Sequence, residues 1–238
     1  PDPSTGALAA GTNQVGVGDG WWFDGVNNLG FGEMFGDFNP AVASDGSGFL
    51  VAWNRKIAKY LPATKQWQFT STIRTRRFDA DGVAQGASVQ IPDTWSYLVD
   101  ATADIAAYHY PNWDAAFAHQ ETDLIPSLIW AGDRYRLTWP VKGIGSYWNV
   151  IYRDIFANST GNVTGAYEGA FGEYDRRNLP SMAYDPVNRR VMSVYATDSG
   201  QINGHLSSLA YNTVTEFKPL FSGAGTRPRV AYDPAIQG

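Results

Sequence analysis

The chain has 238 residues, 44% apolar, 14% aromatic and 17% charged, a balance that supports a packed core and excludes wholesale disorder. Its net charge is −5 and it has no cysteine. The densest basic run is only Arg74-Thr75-Arg76-Arg77, so a counterion-releasing nucleic-acid surface and an anionic-membrane surface are both excluded, as are disulfides, thiolate catalysis and cysteine-ligated zinc.

No apolar run approaches the roughly 18 residues of a membrane span. Pro1-Asp2-Pro3-Ser4 lacks the basic start and apolar core of a signal peptide, so an exported protein would be seen here in mature form. Residues 1–38 are Gly-rich and low in charge. They read as an extended arm with loops, docked by the aromatic cluster Trp21-Trp22-Phe23. Trp21 and Trp22 are also candidates for stacking on a sugar.

Residues 39–92 form the clearest unit. Ala41-Val42-Ala43 is a predicted strand, Asp45-Gly46-Ser47-Gly48 a turn, and Phe49-Leu50-Val51-Ala52-Trp53 a strand buried on both faces. A loop is predicted from Lys56 to Gln68, then a strand from Thr72 to Phe78. Asp79-Ala80-Asp81-Gly82 is a hairpin turn, because Asp-Gly accepts positive φ, and a fourth strand runs from Ala87 to Ile91.

Residues 93–124 break the pattern. They read as a strand pair around Tyr110-Pro111-Asn112-Trp113, or as a short Ala-rich helix. The pattern returns over 125–178, with strands at Ser127–Trp130, Tyr135–Trp139, Val150–Phe156 and from Val163 onward. It repeats over 179–227, with strands at Met182–Tyr184, Arg190–Tyr195, Ile202–Leu209 and Thr213–Leu220. Pro228–Tyr232 opens a further, partial copy over 228–238.

Pro126, Pro180 and Pro228 stand 54 and 48 residues apart. Four short strands recurring at about 50 residues is the signature of a β-propeller. Each small sheet has faces it cannot bury alone, and its neighbours supply the cover. The fold class is therefore all-β, a propeller of four-stranded antiparallel blades. It has four to five blades, or is an incomplete propeller completed by another segment or chain. A lone first strand after Pro228 would leave an open edge. The expected partner is accordingly the N-terminal arm, another protein chain or a neighbouring subunit that completes the last blade.

Pro180-Ser181-Met182-Ala183-Tyr184-Asp185-Pro186 and Pro228-Arg229-Val230-Ala231-Tyr232-Asp233-Pro234 carry a recognisable repeat. It resembles the Pro-x-Val-Ala-Tyr-Asp-Pro repeat of bacterial secreted and surface β-propeller proteins, and Ile73 to Gly82 is similar to that family's strand-three hairpin. The resemblance covers residues 39–92 and 125–234. It implies a propeller and an extracytoplasmic location, secreted or on the cell surface. Family members differ in function, so it implies no catalytic residue.

Chemistry is sparse. Asp45, Asp133, Asp185 and Asp233 lie at turns, where Asp binds backbone two residues on. The alternative to a binding module is a glycoside hydrolase-like enzyme with carboxylates at the propeller mouth, for which Asp104, Asp154 and Glu173 are the candidate acids. His109, Asp114 and His119, near Glu121 and Asp123, are the densest set of potential metal ligands, but they lack His-Glu-x-x-His or His-x-His spacing. Asp79-x-Asp81-Gly82 is not a calcium loop, since Gln90 stands where the bidentate Glu belongs. Neither Gly-x-Ser-x-Gly nor a sialidase-type Asp-box occurs. Asn158 and Asn162 are formal glycosylation acceptors on a predicted turn.

No cofactor or resident metal is expected. Trp21, Trp22, Trp95, Trp113 and Trp148 are the candidate binding aromatics. The reading is a non-catalytic extracellular binding or assembly module that contacts protein or glycan through them.

Overall fold

A computed structural model describes residues 33–61, 63–64, 66–91, 95–100, 124–142, 148–156, 180–196, 200–209, 214–221 and 228–235. Among these the regular structure is all strand, in three antiparallel sheets. The first sheet contains β1 (Glu33–Ser44), β2 (Gly48–Leu61), β3 (Gln66–Asp79), β4 (Ala84–Gln90) and β5 (Trp95–Asp100). The second contains β6 (Ser127–Trp130), β7 (Arg134–Lys142) and β8 (Trp148–Phe156). The third contains β9 (Ser181–Asp185), β10 (Arg190–Ala196), β11 (Ile202–Ser208) and β12 (Val214–Phe221).

Each sheet is a meander in which consecutive strands pair. β4 and β5 share one edge of β3: β4 pairs with residues 74–78 and β5 with residues 66–71. The first strands of successive sheets lie together, β1 against β6 and β6 against β9.

The apolar run of β2 is buried on both faces from Leu50 to Trp53, as its sequence predicts, while Phe49 at its start is exposed. Leu50 and Ala52 join Ile73, Leu128, Tyr135, Leu137, Trp139, Ile151 and Ile155 in the core between the first and second sheets. Val51 and Trp53 point the other way, into a cluster with Phe78. A third cluster, Ala131, Met182, Val191 and Leu209, joins the second sheet to the third.

Four expectations need correction. The loop predicted from Lys56 to Gln68 is instead the far end of a long hairpin, paired from Gly48↔Asp79 to Leu61↔Gln66. Its lysines hid it, but Lys56 is buried, with its ammonium 5.2 Å from the centroid of the Phe38 ring. An aliphatic stem and an aromatic face make that position tolerable.

The first sheet also has five strands rather than four, because Trp95–Asp100 adds to β3. Residues 33–38, read as part of the N-terminal arm, belong to β1, so Pro40 lies inside that strand. The register shifts between Phe38 and Ala41, and Asn39 takes φ 52°, so the proline occupies a bulge where it displaces no ladder bond. Finally, residues 228–233 carry no strand pairing, although Val230 N–H donates to Ser181 Oγ at 3.2 Å. The predicted fourth strand of the second sheet, from Val163, lies outside the described residues, as do both readings of 101–123.

Candidate functional site

The two junctions between sheets differ in chemistry. The junction between the first and second sheets is largely hydrocarbon. At its rim the turn after β1 presents Asp45, whose Oδ1 accepts bonds from Ser47 N–H (2.9 Å), Ser47 Oγ (2.8 Å) and Gly48 N–H (2.9 Å). Its Oδ2 accepts from Arg77 Nη2 at 2.8 Å. Burial works to raise this carboxyl. The bonds from Ser47, with Tyr135 and Arg77 beside it, outweigh burial and hold it well below the usual carboxylate range.

Across the junction, Arg77 lies 5.6 Å from the centroid of the Tyr135 ring. Burial and the nearby Asp45 carboxylate push the Tyr135 phenol well above its ordinary value. Its hydroxyl nonetheless makes no hydrogen bond of ordinary geometry among the described residues.

The junction between the second and third sheets is built around a buried charge. Arg136, 1% exposed, stands directly opposite Asp154 on neighbouring strands. It grips that carboxylate side-on with one edge of its guanidinium, Nε to Oδ1 at 2.7 Å and Nη2 to Oδ2 at 2.9 Å. Its remaining amino group donates to Ser207 Oγ of the third sheet at 2.5 Å, and Ser207 passes the bond to the Val191 carbonyl. The guanidinium lies 4.5 Å from the centroid of the Tyr152 ring.

Arg134 Nη1 also donates to Asp154 Oδ2, at 3.2 Å. Arg134 pairs with Asp133, whose carboxylate takes a second arginine, Arg189, from the third sheet at 2.8 Å. The hydrogen bond from Arg134 is the main reason the Asp133 carboxyl is held below its ordinary value. Arg189, Asp133, Arg134, Asp154 and Arg136 thus form one ladder of alternating charge, running from exposed turn to buried sheet.

The turns carry a second recurring contact. Gly132 (φ +86°) lies under Tyr184 of the next sheet, so closely that a Cβ there would stand 2.8 Å from the Tyr184 hydroxyl. Tyr232 lies beside Asp185 at the turn of the third sheet. Local desolvation and the Asp185 carboxylate push its phenol up. Asp185 also accepts from Val187 N–H, Asn188 N–H and Asn188 Nδ2, and Asp233 from Ala235 N–H.

Of the candidate acids, Asp154 is therefore placed: near the C-terminal end of β8, buried, with both oxygens taken by arginine. Asp104 and Glu173 lie outside the described residues, as do His109, Asp114 and His119, and Trp21, Trp22 and Trp113. Trp95 and Trp148 open β5 and β8, paired with Ser71 and Lys142. The structure does not describe their side chains. Among the described residues no group of three His, Cys, Asp or Glu is placed to hold a metal.

Sequence reasoning did not single out Arg136, Arg134 or Ser207. A signal existed: Arg136 falls among apolar residues in the predicted strand Tyr135–Trp139, and the next predicted strand supplies an acid directly across in Asp154.

No family model matches the chain, and a search of curated proteins finds no match. Among solved structures it is similar to the α-L-arabinofuranosidase CtGH43 from Clostridium thermocellum, with 10% identity over 77% of this chain and 72% of that one and a TM-score of 0.35. A superposition of that quality bears on neither activity nor substrate. No helix among the described residues is long and apolar enough to cross a membrane.

Proposed function

We propose that the chain is an extracytoplasmic β-propeller module that binds a protein or glycan partner and does not turn it over. The order of packing supports a propeller: meander sheets follow one another with β1, β6 and β9 side by side. Residues 228–235 then reach β9 in their turn.

The observation that carries the non-catalytic reading is the engagement of seven described aspartates, Asp81 at the β3–β4 turn apart. Asp37, Asp133 and Asp154 are committed to arginines. Asp45 binds both its own turn and Arg77. Asp79, Asp185 and Asp233 hold turn backbone. A glycosidase needs two carboxyl groups about 5–10 Å apart across an open bond-cleaving site, and acids distributed among turns and seams do not meet that need. The contact surface in this reading is aromatic, with Trp95 and Trp148 at strand starts and Trp21, Trp22 and Trp113 as further candidates. Indole rings bury area at small entropic cost.

The test is a glycan array and a partner pull-down run beside a hydrolysis screen on aryl glycosides and polysaccharides. Binding without turnover is expected, with affinity reduced at least tenfold in Trp95→Ala or Trp148→Ala. Turnover abolished by Asp104→Asn or Glu173→Gln would replace this reading with the hydrolase one.

A further inference from the structure

We propose that the junction between the second and third sheets encloses ordered internal water, bound to Thr138 Oγ1 and Asn203 Oδ1. The bond from Arg136 to Ser207 fixes which faces meet. Side chains alternate along a strand, so Thr138 follows Arg136 on the face of β7 turned to the third sheet. On the facing side of β11, His205 and then Asn203 follow Ser207. The partner strand β10 presents Val191, Ser193 and Tyr195, paired in register with Ser207, His205 and Asn203.

This layer is closed to solvent and polar. Thr138 is 0% exposed and Asn203 5%, with Ser193 and His205 buried beside them. Tyr195 hydroxyl and His205 Nε2 bond to each other at 2.8 Å. The oxygens Thr138 Oγ1 and Asn203 Oδ1 meet no hydrogen-bond partner among the described residues. Buried polar atoms in folded proteins nearly always have a partner, protein or water. An internal water requires a polar site offering about two to four partners, and successive rungs of hydroxyl, imidazole and amide supply them here.

Two measurements decide it. Thr138→Val keeps the shape and removes the hydroxyl. If the hydroxyl binds water, the variant's thermal midpoint falls by about 2–4 °C, while Thr138→Ser, which keeps the hydroxyl, retains more of the wild-type midpoint than Val does. A midpoint that is unchanged or raised in Thr138→Val overturns the proposal, because a dry, unmet hydroxyl gains from becoming a methyl. Independently, a crystal structure of the wild-type chain should show density for water within hydrogen-bond distance of both oxygens. Density in which both oxygens bond protein atoms directly overturns it equally.

Discussion

Arg136 shows why a charge can be kept inside a sheet stack. A guanidinium removed from water costs several kcal/mol unless it is paired and hydrogen-bonded, and here Nε and Nη2 go to Asp154 and Nη1 to Ser207. The arrangement is a poor stability device compared with a leucine, yet it reaches across to another sheet at one defined height. Asp45 does a related job at the other junction, and its titration gives a prediction. An aspartate in the unfolded chain titrates near 3.8, whereas in the fold Asp45 is held below that value. A lowered carboxyl contributes stability that is fully present above the unfolded value and is lost as pH falls through the folded one. Asp45→Asn should therefore weaken the protein at neutral pH and flatten the loss of stability below about pH 4. Urea midpoints measured from pH 7 to pH 2 check this. A slope in the variant equal to that of the wild type would remove Asp45 from the account.

At the scale of elements, the turns between first and second strands do two jobs, reversing the chain and seating the next sheet. Gly46 and Gly132 separate those jobs. Both have φ +86°, but a Cβ at Gly46 meets nothing within 4 Å, whereas at Gly132 it meets the Tyr184 ring and hydroxyl. Alanine at either position carries the backbone penalty of about 1–3 kcal/mol for a left-handed residue. Gly132→Ala should cost more than Gly46→Ala in a denaturation series, and Tyr184→Phe should restore part of the excess. An equal cost at the two positions would show that the turn does not seat the sheet. The strands around these turns were legible because apolar runs bounded by Asp and Gly are a local signal: Ser127–Trp130 is found as predicted, and Gly82 takes φ 77°. The far half of the β2–β3 hairpin was not legible, since Lys56 and Lys59 break the period and only pairing with β3 makes Lys56 a buried residue. The ladder around Arg136 was half legible. Asp154 stood out as an acid in a predicted strand, but its partner is chosen by cross-strand register, which composition does not reveal.

For the whole molecule, the question is what lies against the first strand of the third sheet. β9 is the outer strand of the third sheet, and an uncovered strand of that kind invites pairing with another chain. Residues 228–233 lie against it without joining the ladder: Val230 bonds Ser181 Oγ, and Tyr232 lies by Asp185. These contacts make the 228–235 segment part of the third sheet's stability. Truncation before Pro228 should then raise amide exchange across Ser181–Asp185 roughly fivefold or more, the effect of losing about 1 kcal/mol of hydrogen bonding. Exchange in β1 to β3, which this segment does not cover, should be unchanged. Mass-spectrometric hydrogen exchange on the two chains compares the regions directly. Uniform acceleration everywhere would mean that the segment supports global folding rather than one sheet. No acceleration at all would mean that β9 is protected by β10 alone, and the seating of Tyr232 would have no part in holding the sheets in sequence.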